Sequence, residues 1–162
     1  MTESKRLPYR YTVFGLIIES ELEIPELPNS TELISDVHIY LSNLQAMVHE
    51  IAPDSFYRLE ENRFLLDVPE VATYQVLSGK RIDVDPEVGA TIESVKLFLL
   101  GSCMGVLLHQ RAILPMHGSV ITDGDIGILL TGHSGAGKST TAHYFLSKGY
   151  HFITDDVAAT RF

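Results

Sequence analysis

The chain has 162 residues, 45% of them hydrophobic, a formal net charge of −9 and a single cysteine. That is room for one ordinary domain, or a small one plus part of another, with enough apolar residues for a real core. So acidic a chain argues against binding nucleic acid or an anionic membrane, and one cysteine excludes an internal disulfide framework.

Residues 1–8 are polar and lack the apolar stretch of a signal peptide, which points to the cytoplasm. From Tyr9 to about Asp85 the chain carries short segments rich in β-formers: Tyr11–Ile18, Asp36–Leu41, Arg63–Val68, Ala72–Leu77 and Arg81–Val84. Several alternate apolar with polar residues, as expected of an antiparallel sheet with one wet face. Pro25, Pro28, Pro53 and Pro69, with Glu61-Asn62 and Ser78-Gly79-Lys80, supply the breaks. Glu87-Val88-Gly89-Ala90 then opens a long apolar helix.

The apolar stretch Val95–Met116 is interrupted or bounded by Lys96, His109, Gln110 and Arg111. About a dozen apolar or small residues remain between them, too few for a bilayer, so a buried helix is expected. Gly101 and Gly105, four apart, would let another backbone approach closely; in this setting they read as helix packing. Cys103 lies inside the same stretch and reads as an inert buried thiol.

The chemistry begins at residue 126. Ile126–Leu130 is a short apolar run with the look of a buried strand, and Lys138–Lys148 reads as a helix. Between them stands Gly132-His133-Ser134-Gly135-Ala136-Gly137-Lys138-Ser139, which satisfies G-x-x-x-x-G-K-[ST], the phosphate-binding P-loop. Glycines let the backbone curl until several N–H groups converge on one anion, and the helix that follows presents its positive end to the same point. Gly132 to Thr140 are therefore the candidate nucleotide-binding residues. Lys138 would reach the β- and γ-phosphates, and the Ser139 hydroxyl would complete a Mg²⁺ site.

Gly149 stands where a C-terminal capping glycine belongs. The chain then runs Tyr150-His151-Phe152-Ile153-Thr154-Asp155-Asp156, a largely apolar strand ending in two carboxylates, the form of a Walker B segment. An aspartate at such a strand end helps to hold the metal, and its neighbour can serve as base. The order helix, strand, loop, helix, strand is an α/β pattern.

Ile113-Leu114-Pro115-Met116-His117-Gly118-Ser119, the Asp123-Gly124-Asp125 turn, Gly132 to Thr140, Gly149-Tyr150 and Thr154-Asp155-Asp156 together resemble the bacterial HPr kinase/phosphorylase family. They resemble more closely its HPr-kinase-like relatives, some of which modify peptides in lasso-peptide biosynthesis. Phe14-Gly15-Leu16, Ser20-Glu21 and Ile24-Pro25-Glu26-Leu27-Pro28 are similar to the opening of those relatives, so the likeness extends over most of the chain. It implies an α/β fold with a P-loop kinase core of the HPr kinase/PEP carboxykinase type over residues 89–162, preceded by a β-rich region over residues 1–88. The kinases resembled continue past the acidic pair with a further metal-binding glutamate, an arginine and the rest of the sheet, so the core reads as incomplete at its C-terminus and the chain as the N-terminal part of such an enzyme.

What the resemblance implies for function is an ATP- and Mg²⁺-dependent serine kinase whose acceptor is a small protein or peptide. Lys138 and the loop would hold the triphosphate, Ser139 and Asp155 the metal. Asp156 would be the base, with the order of the two aspartates open, and His117 matches the family's active-site histidine. A homo-oligomer stays open. The other reading is a nucleotide-binding regulatory module without transferase activity.

Overall fold

A computed structural model of the chain describes residues 7–133, 135–154 and 157–160. It is mixed α/β and divides into two compact units, one ending at Arg111 and the other starting at Ala112.

The first unit is built on strands β1 (Tyr9–Val13), β2 (Leu16–Ser20), β3 (Val37–Leu41), β4 (Tyr57–Leu59), β5 (Arg63–Val68), β6 (Ala72–Leu77) and β7 (Arg81–Pro86). They form one seven-stranded sheet in the order β1-β2-β3-β7-β6-β5-β4. The sheet is mixed, which corrects the antiparallel expectation: β3 runs parallel to both β2 and β7. The reason lies in the long connection 21–36, which carries the chain back before β3 starts; a tight turn would have forced an antiparallel neighbour. The segment Tyr11–Ile18 is a hairpin and not one strand, because Phe14 and Gly15 both take positive φ (55° and 70°), the two-residue turn that suits strand twist.

At the β4 edge Ser55 Oγ donates to the carbonyl of Tyr57 and accepts from its N–H, at 2.8 and 3.2 Å. Phe56, Tyr57 and Leu59 are exposed there.

One face of the sheet packs against a helical segment made of α1 (Ile92–Phe98), a π-turn (Leu99–Cys103) and α2 (Met104–Gln110). Gly89 takes a φ of 91° in a turn, and the helix starts at Ile92, with the Thr91 hydroxyl accepting from Ser94 N–H. Glu87 to Ala90 therefore precede the helix instead of opening it. Val95, Leu99, Cys103, Met104, Leu107 and Leu108 are buried, as are Ile18, Ile39, Tyr74, Val76, Ile82 and Val84 of the sheet. Tyr74 Oη donates to Val95 O at 2.9 Å, fastening helix to sheet. These contacts put the helical segment in the first unit, whereas the sequence reading assigns everything beyond residue 88 to the second.

Ile92–Gln110 is long and apolar enough to cross a membrane by length and composition alone, with mean hydropathy 1.4, and part of it is buried against the sheet. Buried Lys96 reaches Glu26, whose carboxyl it holds below the usual range by hydrogen bonding. Gly101 and Gly105 do not mediate a close approach among the described residues: no atom of another element lies within 4 Å of where a Cβ would stand on either. The sheet-facing stripe falls on the larger residues around them.

The second unit holds β8 (Leu114–His117), β9 (Ser119–Thr122), β10 (Gly127–Leu130), α3 (Lys138–Leu146), β11 (His151–Thr154) and β12 (Val157–Thr160). β9 is the middle strand of a β10-β9-β11 sheet and is antiparallel to both neighbours, while β8 pairs with β12. Strands β10 and β11 are thus parallel to each other but not adjacent. The tight turn at Asp123-Gly124-Asp125 is responsible, since it folds β10 back along β9. The Asp123 carboxylate accepts from the N–H groups of Asp125 and Ile126, which holds its pKa below the ordinary range.

Candidate functional site

Strand β10 ends at Leu130, opposite Ser119, and β11 ends at Thr154, opposite Val120. Both C-terminal ends therefore reach the same edge of the sheet, one strand apart, or about 10 Å at ordinary strand spacing. The glycine loop leaves from the first of these ends. From the second the chain passes to Asp155 and Asp156, which lie outside the described residues, as does Ser134. The next described residue, Val157, pairs with His117 at the end of β8. The histidine singled out from sequence thus sits across from the residue that follows the acidic pair.

The loop is built on glycines in left-handed or otherwise unusual backbone conformations. Gly132, Gly135 and Gly137 take φ of 154°, 80° and 86°, backbone conformations that L side chains rarely adopt. Among the described residues no atom lies within 4 Å of a Cβ built on Gly135 or Gly137, so their backbone conformation and not crowding calls for glycine. Gly137 in its left-handed conformation caps α3 without any side-chain hydrogen bond to the first helical N–H groups. N–H groups at a helix start are suited to an anion.

Lys138, the first residue of the helix, folds back over the loop, and its Nζ donates to Gly132 O at 2.8 Å and His133 O at 3.2 Å. Gly135, Gly137, Lys138, Ser139 and Thr140 line a cleft of about 300 Å³. A lysine, two glycines and the start of a helix lining one cleft are chemically suited to a polyphosphate. His133 is exposed, and Ala136 N–H donates to His133 O at 3.1 Å, tightening the loop.

The far end of α3 is anchored firmly. Tyr150 N–H donates to Phe145 O and Gly149 N–H to Leu146 O, with Gly149 at φ 95° and the rings of Phe145 and Tyr150 5.1 Å apart. This is a Schellman cap with its accompanying hydrophobic contact. It delivers the chain directly into β11.

Among the described residues no group of three or more His, Cys, Asp and Glu side chains could hold a metal. Ser139 is the one member of the expected Mg²⁺ set that is described, and it lines the cleft.

The sequence names Gly118 only as part of the His117-Gly118-Ser119 run and gives it no role; it stands between β8 and β9. A Cβ there would meet Leu130 O at 2.5 Å. No turn signature marks it; only the packing does.

Residues 110–161 match the family model described as HPr Serine kinase C-terminal domain. The chain is similar to the HPr kinase/phosphorylase of Clostridium botulinum (strain Eklund 17B / Type B), 46% identical over 46 residues, which are 28% of this chain and 15% of the relative. That of Leptospira biflexa serovar Patoc (strain Patoc 1 / Ames) is 43% identical over 55 residues, 32% of this chain and 17% of the relative. That of Latilactobacillus sakei subsp. sakei (strain 23K) is 34% identical over 73 residues, 44% of this chain and 22% of the relative. The chain thus spans less than a quarter of the length of these relatives. No solved structure matches.

Proposed function

We propose, on the match of residues 110–161 to the HPr Serine kinase C-terminal domain, that the glycine loop is a P-loop, the Walker A element of an ATP-dependent serine kinase. The observation that carries the reading is the position of Lys138, whose ammonium lies over the loop at the open start of α3, beside the cleft. ATP, when bound, supplies the transferable phosphoryl group. Loop amides and Lys138 hold and neutralise the phosphates, and the Ser139 hydroxyl, with Asp155, holds Mg²⁺. Asp156 takes the proton from the acceptor hydroxyl. His117 pairs with Val157, the residue that follows the two aspartates in the chain. Catalysis of this kind is mostly positioning and charge neutralisation.

The acceptor is a hydroxyl on a small protein or peptide, and the setting is the cytoplasm, where ATP is available. With a net charge of −9, nucleic acid is not a partner in this reading.

Transfer of labelled phosphate from ATP to candidate acceptors tests it. Asp156→Asn is expected to spare nucleotide binding and to slow transfer by roughly 10²–10⁴-fold, the range for a lost general base. Asp155→Asn is expected to weaken Mg²⁺-dependent binding instead. If Asp155→Asn bound normally but did not turn over and Asp156→Asn kept the parental rate, the two roles would be exchanged. ATP binding without transfer to any acceptor would favour a nucleotide-binding regulatory module.

A further inference from the structure

We infer that Gly118 is a positioning residue for the phosphate loop, through the carbonyl of Leu130. The residues from Leu114 to Thr122 form two strands with one corner: β8 pairs with β12, β9 pairs with β10 and β11, and Gly118 is the bend between them. Gly118 is buried, and its φ is not positive, so backbone conformation is not the reason for a glycine there. The reason is space.

A Cβ at this position would stand 2.5 Å from Leu130 O, 3.3 Å from Leu130 C and 3.1 Å from Leu129 Cδ1. A leucine methyl can swing away, but a carbonyl at the end of a paired strand cannot. Leu130 is the last residue of β10, and Gly132 opens the loop two residues later. The missing side chain at Gly118 therefore sets how close the loop's first residues sit to the corner that follows His117. A methyl group there would push the start of the loop by roughly 1 Å, and a misplacement of that size at a site can cost about 10²-fold in rate. The inference rests on the reading of this loop as the nucleotide site.

The test compares the unsubstituted full chain with Gly118→Ala and with Gly149→Ala. The second is strained by its φ of 95°, lies in the same unit and has open space around it, so it reports general destabilisation alone. Gly118→Ala is expected to shift the amide resonances of Thr131, Gly132 and His133, speed their hydrogen exchange, and weaken Mg-ATP binding by about tenfold or more. Gly149→Ala is expected to lower the melting temperature and leave those amides and the affinity unchanged. Adding Leu129→Ala to Gly118→Ala is expected not to restore the loop, since the carbonyl contact remains.

Unmoved loop amides in Gly118→Ala, or full rescue by Leu129→Ala, would overturn the inference. If the unsubstituted chain bound no ATP, the nucleotide reading would fail, and the amide shifts would still decide the role of Gly118. If Gly118→Ala did not fold, the unsubstituted chain decides: nuclear Overhauser contacts from the Gly118 α-protons to Leu130 or Thr131 are required, and their absence overturns the inference.

Discussion

The two units differ in where their apolar residues go. In the first, a seven-stranded sheet and a helical segment close over residues with no measurable exposure, among them Ile18, Ile39, Leu65, Tyr74, Ile82, Leu99 and Leu107. In the second, Ile121 is fully buried, but Ile126, Phe152 and Ile153 are exposed at 62%, 48% and 59%. Cohesion is concentrated in the unit that precedes the family match, and the candidate chemistry in the unit within it. A loop held by backbone geometry needs little core beneath it.

The largest effect should come from the first unit. Tyr74→Ala removes a fully buried ring and its bond to Val95 O, and is expected to cost about 3–5 kcal/mol. Urea unfolding followed by probes in each unit would read it. An equal loss at a second-unit probe would mean that the two units unfold as one, and the contrast would fall.

Next is Lys138→Ala, expected to weaken Mg-ATP binding by about 2 kcal/mol, the loss of charge-assisted hydrogen bonds, with little change in melting because the side chain lies over the loop surface. Calorimetry in Mg²⁺ checks it, and an unchanged affinity would remove Lys138 from the site.

Smaller again is Gly149→Ala, where a φ of 95° under a Cβ costs about 1–2 kcal/mol and unravels the cap between α3 and β11. Helix content and melting temperature should fall together.

The smallest is a pH effect. Burial pushes the Cys103 thiol up from its ordinary 9.0, so the folded chain keeps a proton that the unfolded chain releases. A raised pKa of this kind contributes stability that is complete below pH 9 and declines as pH rises beyond it. Melting should drop on the alkaline side less steeply in Cys103→Ala, and a maleimide should label Cys103 only after unfolding.

Local signals in the chain were read well where one residue type does one job. Strands β5 and β6 occupy the alternating segments Arg63–Val68 and Ala72–Leu77 residue for residue, and Gly149 stands at the helix end where its conformation is needed. Signals carried by pairing were not legible. Phe14-Gly15 lacks the Asn-Gly or Asp-Gly signature of a two-residue hairpin, so one strand was expected where two exist. The short strand Tyr57–Leu59 alternates apolar with charged residues, but three residues are too few to carry a periodic signal. The parallel neighbours of β3 and the place of β9 between β10 and β11 are properties of long connections, which composition does not record. At the site, the loop and Lys138 announce themselves by spacing. Gly118 does not, because its requirement is a distance to a carbonyl twelve residues away.

The hydroxyl of Ser55 has a consequence beyond the fold of its own turn. An outer strand with bare N–H and C=O groups beside exposed Phe56, Tyr57 and Leu59 would be a template for recruiting other chains into growing fibrils. By engaging both backbone groups of Tyr57 at once, one small oxygen interrupts the row of contacts an incoming chain would need. Replacing it with alanine would leave the native contacts of β4 with β5 in place and make the solution history of the protein, its concentration and its age, matter far more.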